Sequence, residues 1–375
     1  MSPDHYLQPP LSAIPADLVS ASDYERYALE RMSHNIAEYI TSGSSDDLTL
    51  VRNRQALDAL ELRPQVLQRF SNPGTRVQLG ADTLSWPLLL APVAYQQLVH
   101  EQGEMATAQA AQALDTPMII SSLSSCRLED ICARHPGQCW FQLYWQENRE
   151  RSLALLRRAE DAGCKAVVVT VDAPVSGMRN RPQRAGFRLP AGVAAVNLLG
   201  LPPLPARSLA PQDSVILHGL MGDAPDWDDI VWLMQQTQLP LWIKGIMNPD
   251  DAARAVALGV HGIVVSNHGG RSLDGLPATA RVLPAVRQAT GADYPVLFDS
   301  GIRRGSDIVK ALALGANAVL LGRPQLYALS VAGALGVAHL LRTLREELEI
   351  TLALCGCPQA ADIGPHLLFN PYSAV

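Results

Sequence analysis

The chain has 375 residues, 48% hydrophobic and 18% charged, which is ample apolar material for a large core and excludes disorder over most of its length. Its 30 lysines and arginines against 36 aspartates and glutamates leave a net charge of −6, without the basic footprint of a general nucleic-acid binder. Six cysteines without a CxxC pair exclude a disulfide scaffold and point to reduced thiols in a cytoplasmic protein.

Residues 1–21 read as a tail whose start is polar and proline-rich, with no basic segment leading into an apolar one. Residues 22–375 read as one domain. It opens with a helical lead-in over 22–41 and then irregular structure to about residue 80. From there one rhythm repeats. Eight short apolar runs occur at 87–94, 117–121, 140–145, 166–172, 239–245, 262–267, 295–300 and 318–322. Most are separated by amphipathic stretches, at 104–114, 150–162, 249–258, 279–289 and 306–314. Continuous apolar strands alternating with helices imply a parallel sheet covered by helices. Eight such units imply an α/β fold of the (β/α)8 barrel type rather than a doubly wound open sheet, which fits less well without an early glycine-rich fingerprint. Residues 182–226, rich in Pro, Leu and Ala, form a long excursion after the fourth run and read as a lid or loop insertion. Within it, 189–204 is the longest apolar run, but five prolines between Pro182 and Pro205 prevent a regular helix. A long helix over 329–354 ends the barrel.

In such a barrel the site lies at the C-terminal ends of the strands. The runs deliver Pro92, Val93 and Ala94; Ser121; Gln142 and Tyr144; Thr170 and Asp172, with Arg179 shortly after; Lys244; Ser266, Asn267, His268 and Arg271; Asp299, Gly301 and Arg303; Gly322 and Arg323. A capping role accounts for any one of these, but not for all eight ends together. Gly301–Arg303 and Gly322–Arg323 are suited to phosphate, with a helix opened by Gly305-Ser306-Asp307 behind them. Lys244 stands alone on an apolar strand and needs an anion. Asp172 can fix the tautomer of His268, and Arg179 and Arg271 can clamp a carboxylate.

The run from Ser266 to Gly275 (SNHGGRSLDG) resembles the signature of the FMN-dependent α-hydroxy-acid oxidases and dehydrogenases, with Ser272 where glutamine is usual. The resemblance extends over residues 22–365. It implies FMN as cofactor and a small 2-hydroxy acid as substrate, oxidised to the 2-oxo acid. It makes His268 the base, Asp172 its orienting carboxylate and Tyr144 the phenol facing the substrate hydroxyl. Arg179, Arg271 and Tyr39 would bind the substrate carboxylate. Lys244 would sit beside the flavin ring. Pro92, Val93, Ala94, Ser121, Gln142, Thr170 and Ser266 would contact the flavin, and Asp299, Gly301, Arg303, Gly322 and Arg323 its ribityl phosphate. Leu123, where glycolate oxidases carry tryptophan, and the loop Ala91-Pro92-Val93-Ala94-Tyr95-Gln96, similar to that of the 4-hydroxymandelate oxidases, imply an L-2-hydroxy acid larger than glycolate, aryl such as mandelate or hydroxymandelate or larger aliphatic, with an L-lactate oxidase or monooxygenase as the alternative. Ala94 favours O2 as electron acceptor, giving H2O2, over a membrane- or quinone-linked dehydrogenase. The resemblance also implies a homotetramer. A flavin-using isomerase and a catalytically silent FMN-binding scaffold are rivals. The complete set of base and clamp residues argues against both.

Overall fold

The computed structural model describes residues 7–204 and 209–369. Parts of the 1–21 tail, of the 182–226 excursion (Pro205 included) and of the domain's C-terminal end therefore lie outside the described residues. The chain opens with α1 (Ala21–Arg31), α2 (His34–Thr41) and α3 (Leu48–Asp58). The lead-in thus splits in two: Met32 and Ser33 are extended where one helix was expected. α3 was expected to be irregular. A hairpin, β1 (Val77–Leu79) and β2 (Asp82–Leu84), follows.

The barrel comprises β3 (Leu88–Leu90), β4 (Met118–Ser121), β5 (Cys139–Tyr144), β6 (Val167–Thr170), β7 (Leu241–Ile246), β8 (Gly262–Val265), β9 (Val296–Phe298) and β10 (Ala318–Leu321). They pair in chain order, all parallel, and β10 returns to β3 to close the ring. Each strand falls on one of the eight apolar runs to within a residue. The strands are buried almost throughout, since helices cover one face and barrel side chains fill the other. The helices between them are α4 (Glu104–Ala113), α5 (Leu128–Arg134), α6 (Arg149–Asp161), α7 (Asn180–Arg184), α8 (Trp227–Gln235), α9 (Pro249–Ala257), α10 (Thr279–Thr290) and α11 (Gly305–Ala313). Local chemistry sets their starts. Asn148 and Asn248 cap α6 and α9 through their side chains, and Asp226 with Asp229 forms a capping box on α8.

The last helix, α12 (Arg323–Cys355), begins at the barrel rim, six residues earlier than expected. It kinks at Ala332 and Gly333, whose φ of 57° is open to glycine. α12 is long and apolar enough to cross a membrane, yet 78% of its apolar window is buried in this fold, as in a core helix. The described part of 189–204 is irregular apart from one 3-10 turn (Val196–Leu198), as its prolines require. Buried Asn197 pins it, accepting from the Leu128 backbone and donating to Ser124. All six cysteines are free thiols.

Candidate active site

The strand ends open into one cavity of about 620 Å³. Of the expected residues it is lined by Tyr39, Pro92, Val93, Ala94, Ser121, Tyr144, Thr170, Arg179, Lys244, His268, Arg271, Asp299, Gly301, Arg303, Gly322 and Arg323.

At its centre His268 Nδ1 meets Asp172 Oδ1 at 2.9 Å, while its Nε2 faces the Tyr144 hydroxyl at 3.2 Å. Burial opposes the charge on Asp172, but the neighbouring His268 and Lys244 outweigh it and hold the carboxyl below its usual range. Burial pushes the Tyr144 phenol up, so it stays protonated at neutral pH. Gly245 makes room for this pair. Its φ is 113°, at a shift in the β7–β8 register, and a Cβ there would lie 2.5 Å from that of Asp172.

Lys244 is 4% exposed, 3.2 Å from Asp299, and donates to Ser266 Oγ at 2.8 Å. Burial disfavours its charge, yet Asp299 and Asp172 more than compensate and raise it above its usual value. Ser266 was expected to contact the flavin. Its hydroxyl accepts from Lys244 and from the His268 N–H, at 3.1 Å.

Three arginines converge on the carbonyl end of α2. Arg179 donates to Tyr39 O, Arg271 to Tyr39 O, Ile40 O and Ser42 O, and Arg323 to Ile40 O and Ser42 O. The negative end of the helix dipole makes this clustering tolerable. It is still strained electrostatically. Burial, then the adjacent Arg271, lowers Arg179 to about 9 and Arg323 to about 10. Among the described residues neither Arg179 nor Arg271 pairs with a carboxylate, and Arg179 Nε is buried without a partner. Both guanidinium groups lie near the Tyr39 ring, at 5.9 and 5.1 Å, and Phe187 stacks on that ring at 4.2 Å.

Internal partners already engage part of the expected phosphate site. The N–H groups around the start of α11 are already engaged: Asp307 accepts from those of Arg303 and Arg304, and Glu347 from that of Gly305. The Arg323 guanidinium donates to three carbonyls, the third being Gly269 O, and keeps two of its five N–H groups. The start of α12 is more open, since a Cβ added at Gly322 would meet nothing within 4 Å.

The residues fit FMN. Gln142 does not line the cavity, but its Nε2 is a buried donor without a partner on the strand that carries Tyr144. Lys244 offers a buried cation, and Gly301, Arg303 and Gly322 leave room for an anionic tail.

The FMN-dependent dehydrogenase family matches residues 28–370 of this chain. The chain belongs to that family. FMN is its cofactor. Among its relatives, the L-lactate oxidase of Alicycliphilus denitrificans is 50% identical, covering 94% of this chain and 97% of its own. The 4-hydroxymandelate oxidase of Amycolatopsis orientalis is 43% identical, covering 90% and 95%. A solved mandelate oxidase with (S)-2-phenylpropionate is similar at a TM-score of 0.85 and 40% identity, covering 95% of this chain and 99% of that one.

Sequence reasoning missed part of the cavity. Leu198, Leu220, Met221 and Pro225 line it with Leu123 and Trp145, and the first four come from an excursion whose apolar residues carry no period. It also missed Asn53 and Arg54 on α3. Arg54 bonds Asp307 and Gly301 O and so braces the turn after β9.

Proposed function

We propose that this protein oxidises an L-2-hydroxy acid carrying an apolar substituent to the 2-oxo acid, passing the electrons to O2 and giving H2O2. The observation that carries the reading is the pairing of the Asp172–His268 dyad with two arginines that, among the described residues, have no carboxylate partner. A base and an anion clamp share one cavity, as a hydroxy acid requires.

His268 Nε2 takes the substrate proton. Asp172 holds the Nδ1–H tautomer and balances the imidazolium that forms. Arg179, Arg271 and Tyr39 hold the carboxylate, and Tyr144 donates to the substrate oxygen. FMN, when bound, supplies the two-electron redox chemistry. Lys244, set by Asp299 and Ser266, supplies positive charge beside it. Gln142, Ser121, Thr170 and the Pro92–Ala94 turn hold the ring, and Gly301, Arg303 and the start of α12 take the phosphate. The 182–226 excursion acts as the lid, and its Leu198, Leu220 and Met221 support an apolar substituent.

The test is anaerobic mixing of the yellow protein with glycolate, L-lactate, longer aliphatic 2-hydroxy acids, L- and D-mandelate and 4-hydroxymandelate. L-lactate or a larger L-acid should bleach the flavin faster than glycolate, D-mandelate should not bleach it, and air should restore the colour rapidly. Bleaching by none of them removes the reading, and slow recolouring turns the oxidase into a dehydrogenase.

Six free thiols support a reducing, cytoplasmic setting. The proposed assembly is a homotetramer. Val215, Ile216 and Leu217 on the insertion are 65%, 47% and 68% exposed, apolar surface of the kind that contacts between copies cover. Light scattering should give four times the chain mass, and a monomer mass would refute the assembly.

A further inference from the structure

We infer that Asn53, on α3, is a positioning residue for the base, acting through a reciprocal amide pair with Asn267. The inference rests on the reading of His268 as base.

Asn53 Nδ2 donates to Asn267 Oδ1 at 2.9 Å, and Asn267 Nδ2 donates back to Asn53 Oδ1 at 2.8 Å. Both residues are buried. The amide of Asn267 has no capacity left. Its Oδ1 also accepts from the Gly270 N–H at 3.1 Å, and its Nδ2 also donates to Pro277 O at 3.2 Å. Two donors and two lone pairs are all used. Its orientation is therefore fixed, because the Gly270 N–H must meet an oxygen and the Pro277 carbonyl an N–H.

The next residue is His268, at φ 59°. A side chain larger than glycine is strained in this left-handed conformation, and such strain persists only where surrounding bonds hold it. One side of the turn is held by Ser266, which accepts the His268 N–H, and by Ser300, which accepts that of Gly269. The other side is held by Asn267 closing on Gly270, and Asn53 fixes Asn267. α3 is in turn fastened to the same signature at its start. Asp47, at the N-cap, makes no side-chain cap bond. Asp274 caps the helix instead, accepting the N–H groups of Asp46, Leu48 and Thr49 at 3.1, 3.3 and 2.8 Å. Thr49 and Asn53 lie one helical turn apart, so α3 grips the loop at two points.

A displacement of the imidazole on the order of 1 Å is enough to cost a hundredfold in rate. Asn53→Leu removes the pair and keeps an apolar body of similar size. It should slow anaerobic bleaching about 30-fold or more, with flavin content unchanged and the half-saturating acid concentration within about threefold. Asn53→Asp keeps the shape but sets an oxygen against Asn267 Oδ1, and should act in the same direction. The double variant Asn53→Leu/Asn267→Leu should be no slower than the slower single, since the pair acts as a unit.

A wild-type bleaching rate per bound flavin in both Asn53 variants would overturn the inference. So would loss of flavin from both, which would make the pair plain scaffold. His268→Ala separates the two readings: if it bleaches normally, the base assignment falls. If it fails to bleach while the Asn53 variants bleach normally, only the positioning role falls.

Discussion

His268→Ala is expected to keep FMN and lose about 10³-fold in kcat, the range for removing a positioned general base. The imidazole is fixed at both nitrogens, by Asp172 at 2.9 Å and Tyr144 at 3.2 Å. Flavin retention follows from its surroundings: the Lys244, Asp299 and Ser266 contacts do not use the imidazole. The measurement is turnover at saturating acid, normalised to the flavin absorbance of each preparation. Asp172→Asn should also lose rate strongly, because the balancing charge is gone and an amide N–H facing Nδ1 would put the ring proton on Nε2, where the base must be free. A His268→Ala protein with wild-type turnover would remove the dyad from the mechanism.

Arg271→Lys should lower kcat/KM about 100-fold, with most of the loss in KM. That equals about 2.7 kcal/mol, in the range for hydrogen bonds to a charged group. One Arg271 nitrogen already serves the carbonyls of Tyr39, Ile40 and Ser42, leaving the rest of the guanidinium for a substrate carboxylate. A single ammonium cannot do both. The check is a steady-state comparison across the preferred acid and its amide. The variant should discriminate far less between them than the parent does, and unchanged discrimination would show that Arg271 does not read the carboxylate.

The barrel was legible because its strands are buried on both faces. Val167–Thr170 or Leu88–Leu90 can only read as continuous apolar runs. Their polar ends were legible for the complementary reason: His268, Lys244 and Asp172 stand where an apolar run stops. α3 was not legible. The buried stripe it presents is Thr49, Asn53 and Leu57, correctly spaced but two-thirds polar, so hydrophobic periodicity passes over it. The phosphate expectation at α11 missed Asp307, which is 1% exposed and spends its carboxylate on the very N–H groups a phosphate would use. The arginine cluster was only half legible. Side-chain types can be read from sequence, but the partners of Arg179, Arg271 and Arg323 are mostly backbone carbonyls of α2, which have no sequence signature.

The fastening of α3 also sets an order of events during synthesis. Asn53 meets Asn267 across 214 residues, Leu48 meets Asp274 across 226, and Arg54 meets Asp307 across 253. At about 5–20 residues per second the ribosome needs roughly 10–50 s to bridge such gaps. α3 is therefore made early and waits for partners encoded in the last third of the message. Until they emerge, α3 has no counterpart to close on. Acquisition of FMN belongs to the end of translation, and a prematurely terminated chain holding half the barrel would be colourless.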